Sequence, residues 1–233
     1  VKRIPLVLSI LAAVLLLAAG LGARADIWTF RTGFTMLRWA ARIGLVAALA
    51  AVVAFLVPRL RHRNLVQLIL ALCIGLASAY VPWSWQRRAR SVPPIHDITT
   101  DMVRPPEFEA VLPLRADAPN PAEYGGPDVA EQQRQAYPEI QPLVLRVPPD
   151  SAFRLARTAA DRMGWDIVAA DASAGRIEAT ATTRWFGFKD DVVVRIEPAG
   201  EGSRIDVRSV SRVGGSDVGT NAKRIRAYLR RLQ

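Results

Sequence analysis

Cysteine occurs once in the 233 residues, at Cys73, and histidine twice, at His62 and His96. A single cysteine rules out any disulfide within the chain. The part of the chain after residue 90 has no cysteine and only His96, which offers little to a hydrolase, since that chemistry needs a nucleophile beside a base, or a metal. There is no Gly-x-Ser-x-Gly elbow, no His-x-x-x-His pair and no phosphate-binding Walker loop. Acids are scarcest near the start. Residues 1–90 hold Asp26 alone against 12 Lys and Arg, whereas residues 91–233 hold 20 Asp and Glu against 19 Lys and Arg, a balance of −1. The net charge of +10 therefore belongs to the N-terminal third and not to a nucleic-acid-binding surface. Lys223, Arg224, Arg226, Arg230 and Arg231 crowd the last segment, which one solvated helix face explains.

What the N-terminal third has instead is three long apolar runs. Ile4–Ala23 is 20 residues without a charge, about 30 Å as a helix and one hydrocarbon core thick. The second run, roughly Trp39–Val57, carries only Arg42, near enough to its end to snorkel. The third, Leu65–Val81, leads into Pro82-Trp83-Ser84-Trp85 and then Arg87, Arg88 and Arg90, the tryptophan-then-arginine signature of a membrane interface. Pro58–Asn64 joins runs two and three, which predicts a tight antiparallel hairpin. Small residues recur at every fourth position, Gly44 and Ala48, then Ala71, Gly75 and Ala79. That spacing lets backbones approach closely in lipid, although alanine-rich spans also produce it by chance. Ile27, Phe30, Phe34 and Leu37 share helical spacing, with Trp28 and Arg31 beside them, and predict a short helix lying in the membrane surface despite Gly33.

Orientation rests on the flanking bases. The amino terminus, Lys2, Arg3, Arg59, Arg61 and Arg63 share one side; Arg24, Arg31, Arg38, Arg42, Arg87, Arg88 and Arg90 share the other. A plain count favours a cytoplasmic C-terminal domain, while the dense short loop and charged start favour the reverse. Lys2-Arg3, an apolar stretch and Ala23-Arg24-Ala25 also resemble a signal peptide, but the apolar part is long for one and reads as retained. An exported start puts the C-terminal domain outside the cytoplasm, which is the orientation we expect.

Ser91–Pro142 changes character, with ten prolines in 52 residues and no sustained period. It reads as an extended strap, with 93–117 packing on the domain that follows and Ala118–Ala136 the best candidate for flexibility. Residues 143–233 read as a compact α+β domain. Leu143–Val147 is a short strand, and Pro148-Pro149-Asp150-Ser151 opens a helix capped by Asp150 or Ser151, with Phe153, Ala156, Ala160 and Met163 as its buried stripe and Gly164 as its end. Trp165–Ala170 is the next strand. Ile177, Ala179 and Ala181, then Val192, Val194 and Ile196, then Ile205 and Val207 alternate with polar residues, and Gly200-Glu201-Gly202 turns between the last two strands. A final helix from Ser216 or Asp217 points Val218, Ala222, Ile225, Leu229 and Leu232 at the sheet. The expectation is three membrane-spanning helices, then an antiparallel sheet of four or five strands with two helices on one face and the other face wet. Glu178, Arg195 and Arg208 would form a solvated ladder there.

Two stretches carry a family likeness: His96-Asp97-Ile98-Thr99-Thr100-Asp101, and Ser209-Val210-Ser211-Arg212-Val213-Gly214 with Ser216-Asp217-Val218-Gly219, Asn221-Ala222 and Arg224-Ile225. Together with Trp185-Phe186-Gly187-Phe188 and Asp190-Asp191, they resemble the bacterial domain-of-unknown-function family 1499 over roughly residues 93–233. The resemblance implies a membrane-attached protein, in a bacterial inner membrane, and no assigned activity. More weakly, Met163-Gly164-Trp165 through Asp171, Gly175 and Ile177 is similar to helix-grip domains of envelope lipoproteins that act as assembly modules, a likeness of fold alone.

The candidate chemistry is thin. His96 could pair with Asp97 or Asp101, although neighbours in an extended strap seldom converge. Asp190 and Asp191 should point to opposite faces of a strand, so they cannot act as one carboxylate pair; one could hold a metal or bond the strap, and a solvated turn pair is the ordinary alternative. The Gly214-Gly215-Ser216-Asp217 turn, with Arg212 upstream and Asn221 and Arg224 on the helix flank, could bind an anion or the strap's own Asp97 or Asp101. An ordinary cap by Asp217 explains it as well. Trp185, Phe186 and Phe188 form a core plug, a partner contact or a lipid contact. The residues with binding potential are therefore His96, Asp97, Thr99, Thr100, Asp101, Trp185, Phe186, Asp190, Arg212, Ser216, Asp217, Asn221 and Arg224, with no catalytic set, metal or cofactor called for. The expected partners are the lipid bilayer and a protein of the membrane or envelope. A hydrolase or transferase built on His96 and nearby carboxylates, and an apolar-ligand carrier, are the competing readings.

Overall fold

The computed structural model describes residues 3–233, so Lys2, counted above toward orientation, lies outside the described residues, as does the side chain of Arg63. The chain divides into two compact units. One holds the residues up to Arg88 together with Arg184–Gly187; the other holds Ala89–Thr183 and Phe188–Gln233.

The first unit is helical: α1 (Ile4–Arg24), α2 (Phe30–Leu56) and α3 (Pro58–Arg90). Three helices are long and apolar enough to cross a membrane: α1, α2 and the Asn64–Arg90 part of α3. Thr29 caps α2, its hydroxyl accepting from the Thr32 amide at 3.3 Å. The expected surface helix over residues 27–37 is thus the first turns of α2, because nothing in Phe30–Leu37 interrupts the ladder that continues through the span. Residues 58–64 are likewise not a loop. Pro58 opens a short helical stretch, and Asn64, at φ −138° and ψ 21°, bends it into the span. The four-residue small-side-chain spacing does seat α2 against α3. A Cβ on Gly75 would lie 2.5 Å from the Gly44 carbonyl oxygen, and one on Gly44 2.6 Å from that of Gly75, so only glycine permits this approach. Ala48, Ala71 and Ser78 are buried beside it. Long side chains such as Leu45, Leu49 and Val66 face outward, as a lipid solvent allows.

The second unit is built on one antiparallel sheet. Its strands are β1 (Asp97–Thr99), β2 (Leu143–Leu145), β3 (Asp166–Asp171), β4 (Arg176–Thr182), β5 (Lys189–Ala199) and β6 (Gly202–Ser211), in the order β1-β6-β5-β4-β3. β2 shares the outer side of β6 with β1, pairing Ser203–Ile205 while β1 pairs Arg208–Val210. The sheet has six strands because the strap supplies β1, three residues too short to show a period. Helices α5 (Pro149–Arg162) and α6 (Thr220–Leu229) cover one face. Phe153, Ala156 and Ala160 of α5 and Ala222, Ile225 and Tyr228 of α6 pack on Ile177, Ala179, Val192, Val194, Ile205 and Val207. Each fully buried aliphatic side chain contributes about 1.5–3 kcal/mol. Trp165 stacks on Tyr228 with ring centres 4.9 Å apart, and the Tyr228 hydroxyl donates to the Ala156 carbonyl.

Three local expectations change. α5 has Pro148 as its N-cap with no side-chain cap bond, since proline carries no side-chain acceptor, and the Ser151 and Ala152 amides go to the Pro148 carbonyl. α6 starts at Thr220, after Gly219 takes φ +74°. Ala118–Ala136 is not a loose segment: it holds α4 (Gly126–Ala136), whose buried residues are Ala130 and Gln133.

The largest change concerns the second face of the sheet, which is covered and not wet. Glu178, Asp206 and Arg208 are 1%, 0% and 2% exposed. The strap lies over them: Phe108 and Val111 cluster with Val193 and Val210. The Glu178 carboxylate accepts the amides of Glu109 and Val111 at 3.0–3.1 Å.

Replacing Gly75 by leucine should part α2 from α3. In thermal unfolding of the detergent-solubilised chain, Gly75→Leu is expected to lose about 2 kcal/mol or more, while Leu76→Ala, at an outward position, stays near wild type.

Candidate functional site

The residues that looked chemically promising gather in three places, two of them on opposite faces of the β5–β6 pair. On the helix side the strap meets the turn before α6 mainly through its backbone. The His96 carbonyl accepts the Ser211 amide at 3.0 Å and the Asn221 side-chain amide at 2.9 Å. The Ile95 carbonyl accepts the Asp217 amide at 3.1 Å, and Ser216 donates its hydroxyl to the Pro93 carbonyl. His96 therefore contributes its main chain to this network and not its imidazole. Asn221, fully buried, also donates to the Ser211 hydroxyl and accepts from Ser209 and Arg224. Arg224 continues to Asp190, closing an ion pair in which both side chains are under 10% exposed. Asp217 takes the Gly219 amide at 2.8 Å and the Asn221 amide at 2.5 Å, so it serves as the cap even though α6 begins later than expected. Burial pushes the Asp217 carboxyl above its usual range, and those two amides pull against the rise.

On the strap side the charges are more numerous. Asp97 and Arg208 form a bidentate pair at 3.0 and 2.7 Å. Arg208 also donates to the Pro106 and Ala122 carbonyls at 3.2 and 2.7 Å, with Phe108 and Tyr124 rings 5.1 and 5.5 Å away. Asp191 holds Arg212 at 2.9 and 2.7 Å and accepts the Thr180 hydroxyl at 2.9 Å. Arg115 lies 3.6 Å from Asp191, and its buried Nη1 makes no hydrogen bond. Burial depresses the Arg115 guanidinium and pushes the Tyr124 hydroxyl up to about 12, the charge of Asp97 adding to the latter.

Asp101 sits at the far end of this face. One oxygen accepts the Val103 and Arg104 amides at 3.0 and 2.9 Å; the other accepts Arg195 and Arg204, each at 2.9 Å. Burial raises its pKa, but these donors outweigh it and hold the carboxyl below the usual range. Asp206 shares the same two arginines and accepts the Thr100 hydroxyl at 3.1 Å. Thr99 exchanges both backbone bonds with the buried Gln133 amide, at 2.9 and 2.6 Å.

The Asp190–Asp191 pair does split across the sheet, Asp190 to Arg224 and Asp191 to Arg212. Both are buried, at 2% and 0%, so neither is a solvated turn residue. The strap acids Asp97 and Asp101 reach β5 and β6 arginines and not the Gly214–Asp217 turn. Arg208, Asp206, Arg115, Gln133 and Tyr124 belong to these networks without having been singled out as candidates. One signal could have found two of them: Arg204, Asp206 and Arg208 stand at every second position on one face of β6, two bases around one acid, with Arg212 just past the strand's end, a row that needs acidic company.

The aromatic pair lies elsewhere, with the helical unit. Phe186, 5% exposed, is 5.3 Å from Phe34, and a Cβ on Gly33 would lie 2.8 Å from its ring. Trp185 meets Trp85 edge-on at 4.9 Å, fills the space left by Gly20 and donates to the Leu17 carbonyl at 3.3 Å. Both side chains are packing residues of that unit.

Among the described residues no group of three or more His, Cys, Asp or Glu stands together as a metal-holding set. Residues 97–232 match the family model described as "Protein of unknown function (DUF1499)". The chain belongs to the DUF1499 family. No curated protein matches it. The matched region of this DUF1499 protein starts at Asp97, the first residue of β1, so the strap from β1 onward lies inside the family region and the three apolar helices lie outside it.

Removing one partner of a buried pair leaves the other charge stranded. Arg208→Met is expected to destabilise the chain by about 3–5 kcal/mol, and the double variant Asp97→Asn/Arg208→Met to recover a clear part of that loss in the same unfolding assay. Asp101 gives a pH signature. Its folded pKa lies below the unfolded value near 3.8, so its stabilisation is complete above that value and fades as pH falls through the folded one. The gap in thermal midpoint between wild type and Asp101→Asn should be widest at pH 7 and narrow steadily below about pH 4.

Proposed function

We propose that this DUF1499 protein is an integral membrane protein that presents a non-enzymatic α+β binding or assembly module at the membrane surface, outside the cytoplasm. The observation that carries the reading is the consumption of the candidate reactive groups. Asp97, Asp101 and Asp190 spend their oxygens on arginines and backbone amides. A general acid or base needs a proton site turned toward substrate, and these carboxylates are turned inward, toward guanidinium groups and backbone amides.

Support for a protein partner comes from what the second unit leaves outside. Val103 is 97% exposed at the tip of the turn held by Asp101, and Leu114 and Val144 are more than half exposed. Isolated apolar side chains are ordinary on a surface. On this reading Val103, Leu114 and Val144, on the strap and its neighbouring strand β2, are apolar side chains that a protein partner covers. The dense Arg59, Arg61 and Arg63 cluster at the α2–α3 connection supports the orientation.

Photo-crosslinking of the full-length chain in its native membranes tests the reading. A crosslinker at Val103 or Val144 is expected to give a discrete heavier product, whereas one at Glu201, in the β5–β6 turn, gives none, and His96→Ala leaves the product unchanged. Uniform labelling from all three positions, or loss of the product in His96→Ala, would count against it. Reporter fusions at Gln233 are expected to be active only for the reporter that works outside the cytoplasm.

A further inference from the structure

The outward surface of α2 is not uniform along its length. At 100° per residue, Arg31, Thr35, Arg38 and Arg42 fall within about 60° of one another, and all four are exposed. The same face continues as Leu45, Leu49 and Val53, which are 60%, 64% and 56% exposed. The 27 residues of α2 span about 40 Å, about 10 Å more than a hydrocarbon core. The apolar half is C-terminal, so the N-terminal turns carrying Arg31 and Arg38 stand at headgroup level, and Arg42 is one turn deeper. Arg31 lies over the Phe30 ring at 5.9 Å, Arg42 over the Trp39 ring at 5.1 Å, and Arg38 donates to the Thr35 hydroxyl at 2.9 Å. None of these contacts is anionic. Each guanidinium has five N–H donors, so the stripe keeps most of its capacity for an anion. The one acid of the first 90 residues, Asp26, precedes the helix.

We propose that this face of α2 is a binding site for an anionic phospholipid, with the headgroup phosphate held by Arg31, Arg38 and Arg42 and an acyl chain lying along Leu45, Leu49 and Val53. The proposal rests on the membrane-spanning reading and adds a lipid preference to it. Charge complementarity selects the head, and the apolar continuation selects the rest of the ligand. An acidic peptide would not follow the arginines down into a leucine face, and a free phosphate would leave that face unused. Arginine suits the role because its planar fork grips phosphate oxygens in pairs.

The test uses the full-length chain in nanodiscs of phosphatidylcholine, with and without a minor fraction of phosphatidylglycerol, and counts retained lipids by native mass spectrometry after release. Phosphatidylglycerol is expected to be enriched on the protein above its share of the disc. At about fivefold per arginine, Arg31→Gln/Arg38→Gln should lower that enrichment by about 25-fold. Arg31→Lys/Arg38→Lys, which keeps the charge but loses the fork, should retain an intermediate enrichment, and Arg59→Gln/Arg61→Gln, at the opposite end of α2, should lower it far less than Arg31→Gln/Arg38→Gln does. No enrichment in wild type, equal loss in Arg59→Gln/Arg61→Gln, or displacement of the lipid by millimolar inorganic phosphate would overturn the proposal. Failure of the wild-type chain to enter phosphatidylcholine discs at all would instead strike at the membrane reading beneath it.

Discussion

The bidentate bond between Asp97 and Arg208 joins two segments 111 residues apart, and both partners are almost wholly out of water. Withdrawing a carboxylate and a guanidinium from solvent costs several kcal/mol each, which their attraction offsets only when the remaining donors and acceptors are also satisfied. Arg208 meets that condition through the Pro106 and Ala122 carbonyls and two aromatic rings, all from the strap. The strap is thus bound to the sheet by necessity: lifting it away would strip Arg208 of its carboxylate and both carbonyls, and Glu178 of the two amides it accepts. The other features of this face follow. Glu178 takes two strap amides in addition to its neighbour Arg176, 3.4 Å away, and Asp101 and Asp206 share Arg195 and Arg204 because two acids need two bases.

The same constraint bears on function. A polar constellation that must be sealed to be stable is a poor place for substrate to enter, and it makes a rigid support for whatever the strap presents outward. Val103 projects from a turn whose two amides are fixed by Asp101, itself fixed by two arginines. Rigidity of this kind lowers the ordering cost of binding a partner. In the helical unit the corresponding economy is achieved with small residues: Gly44 and Gly75 bring two backbones together, and Gly20 and Gly33 admit Trp185 and Phe186.

Strong periods made much of this fold legible. The alternation through Ile177–Ala181, Val192–Ile196 and Ile205–Val207 marked three strands and the face that meets the helices, and Phe153, Ala156, Ala222 and Ile225 marked the helix stripes that cover it. Uncharged length marked the spans. What escaped has physical causes. A period of two records which residues are polar, not which are dry, so Glu178 and Arg208 read as solvent-facing although they lie under the strap. The strap has no period because its bonds are made by side chains and by long-range pairs. In α4 the residues that pack inward are Ala130 and Gln133, the second satisfying both backbone groups of Thr99; a buried glutamine reads as an exposed one. Among the binding candidates, Asp97, Asp101 and Asp190 pair with arginines and Asp217 accepts the Gly219 and Asn221 amides.

Strand β6 pairs with β1, β2 and β5, and it is the last strand to leave the ribosome. Until it does, the acids of the strap have no bases to meet, and the helix face of β4 and β5 lacks its neighbour. Contacts closed over so many residues are slow to form. Until β6 is made, the chain carries three helices ready for lipid and an unfinished sheet, so the arrival of this one strand is the step that completes the second unit.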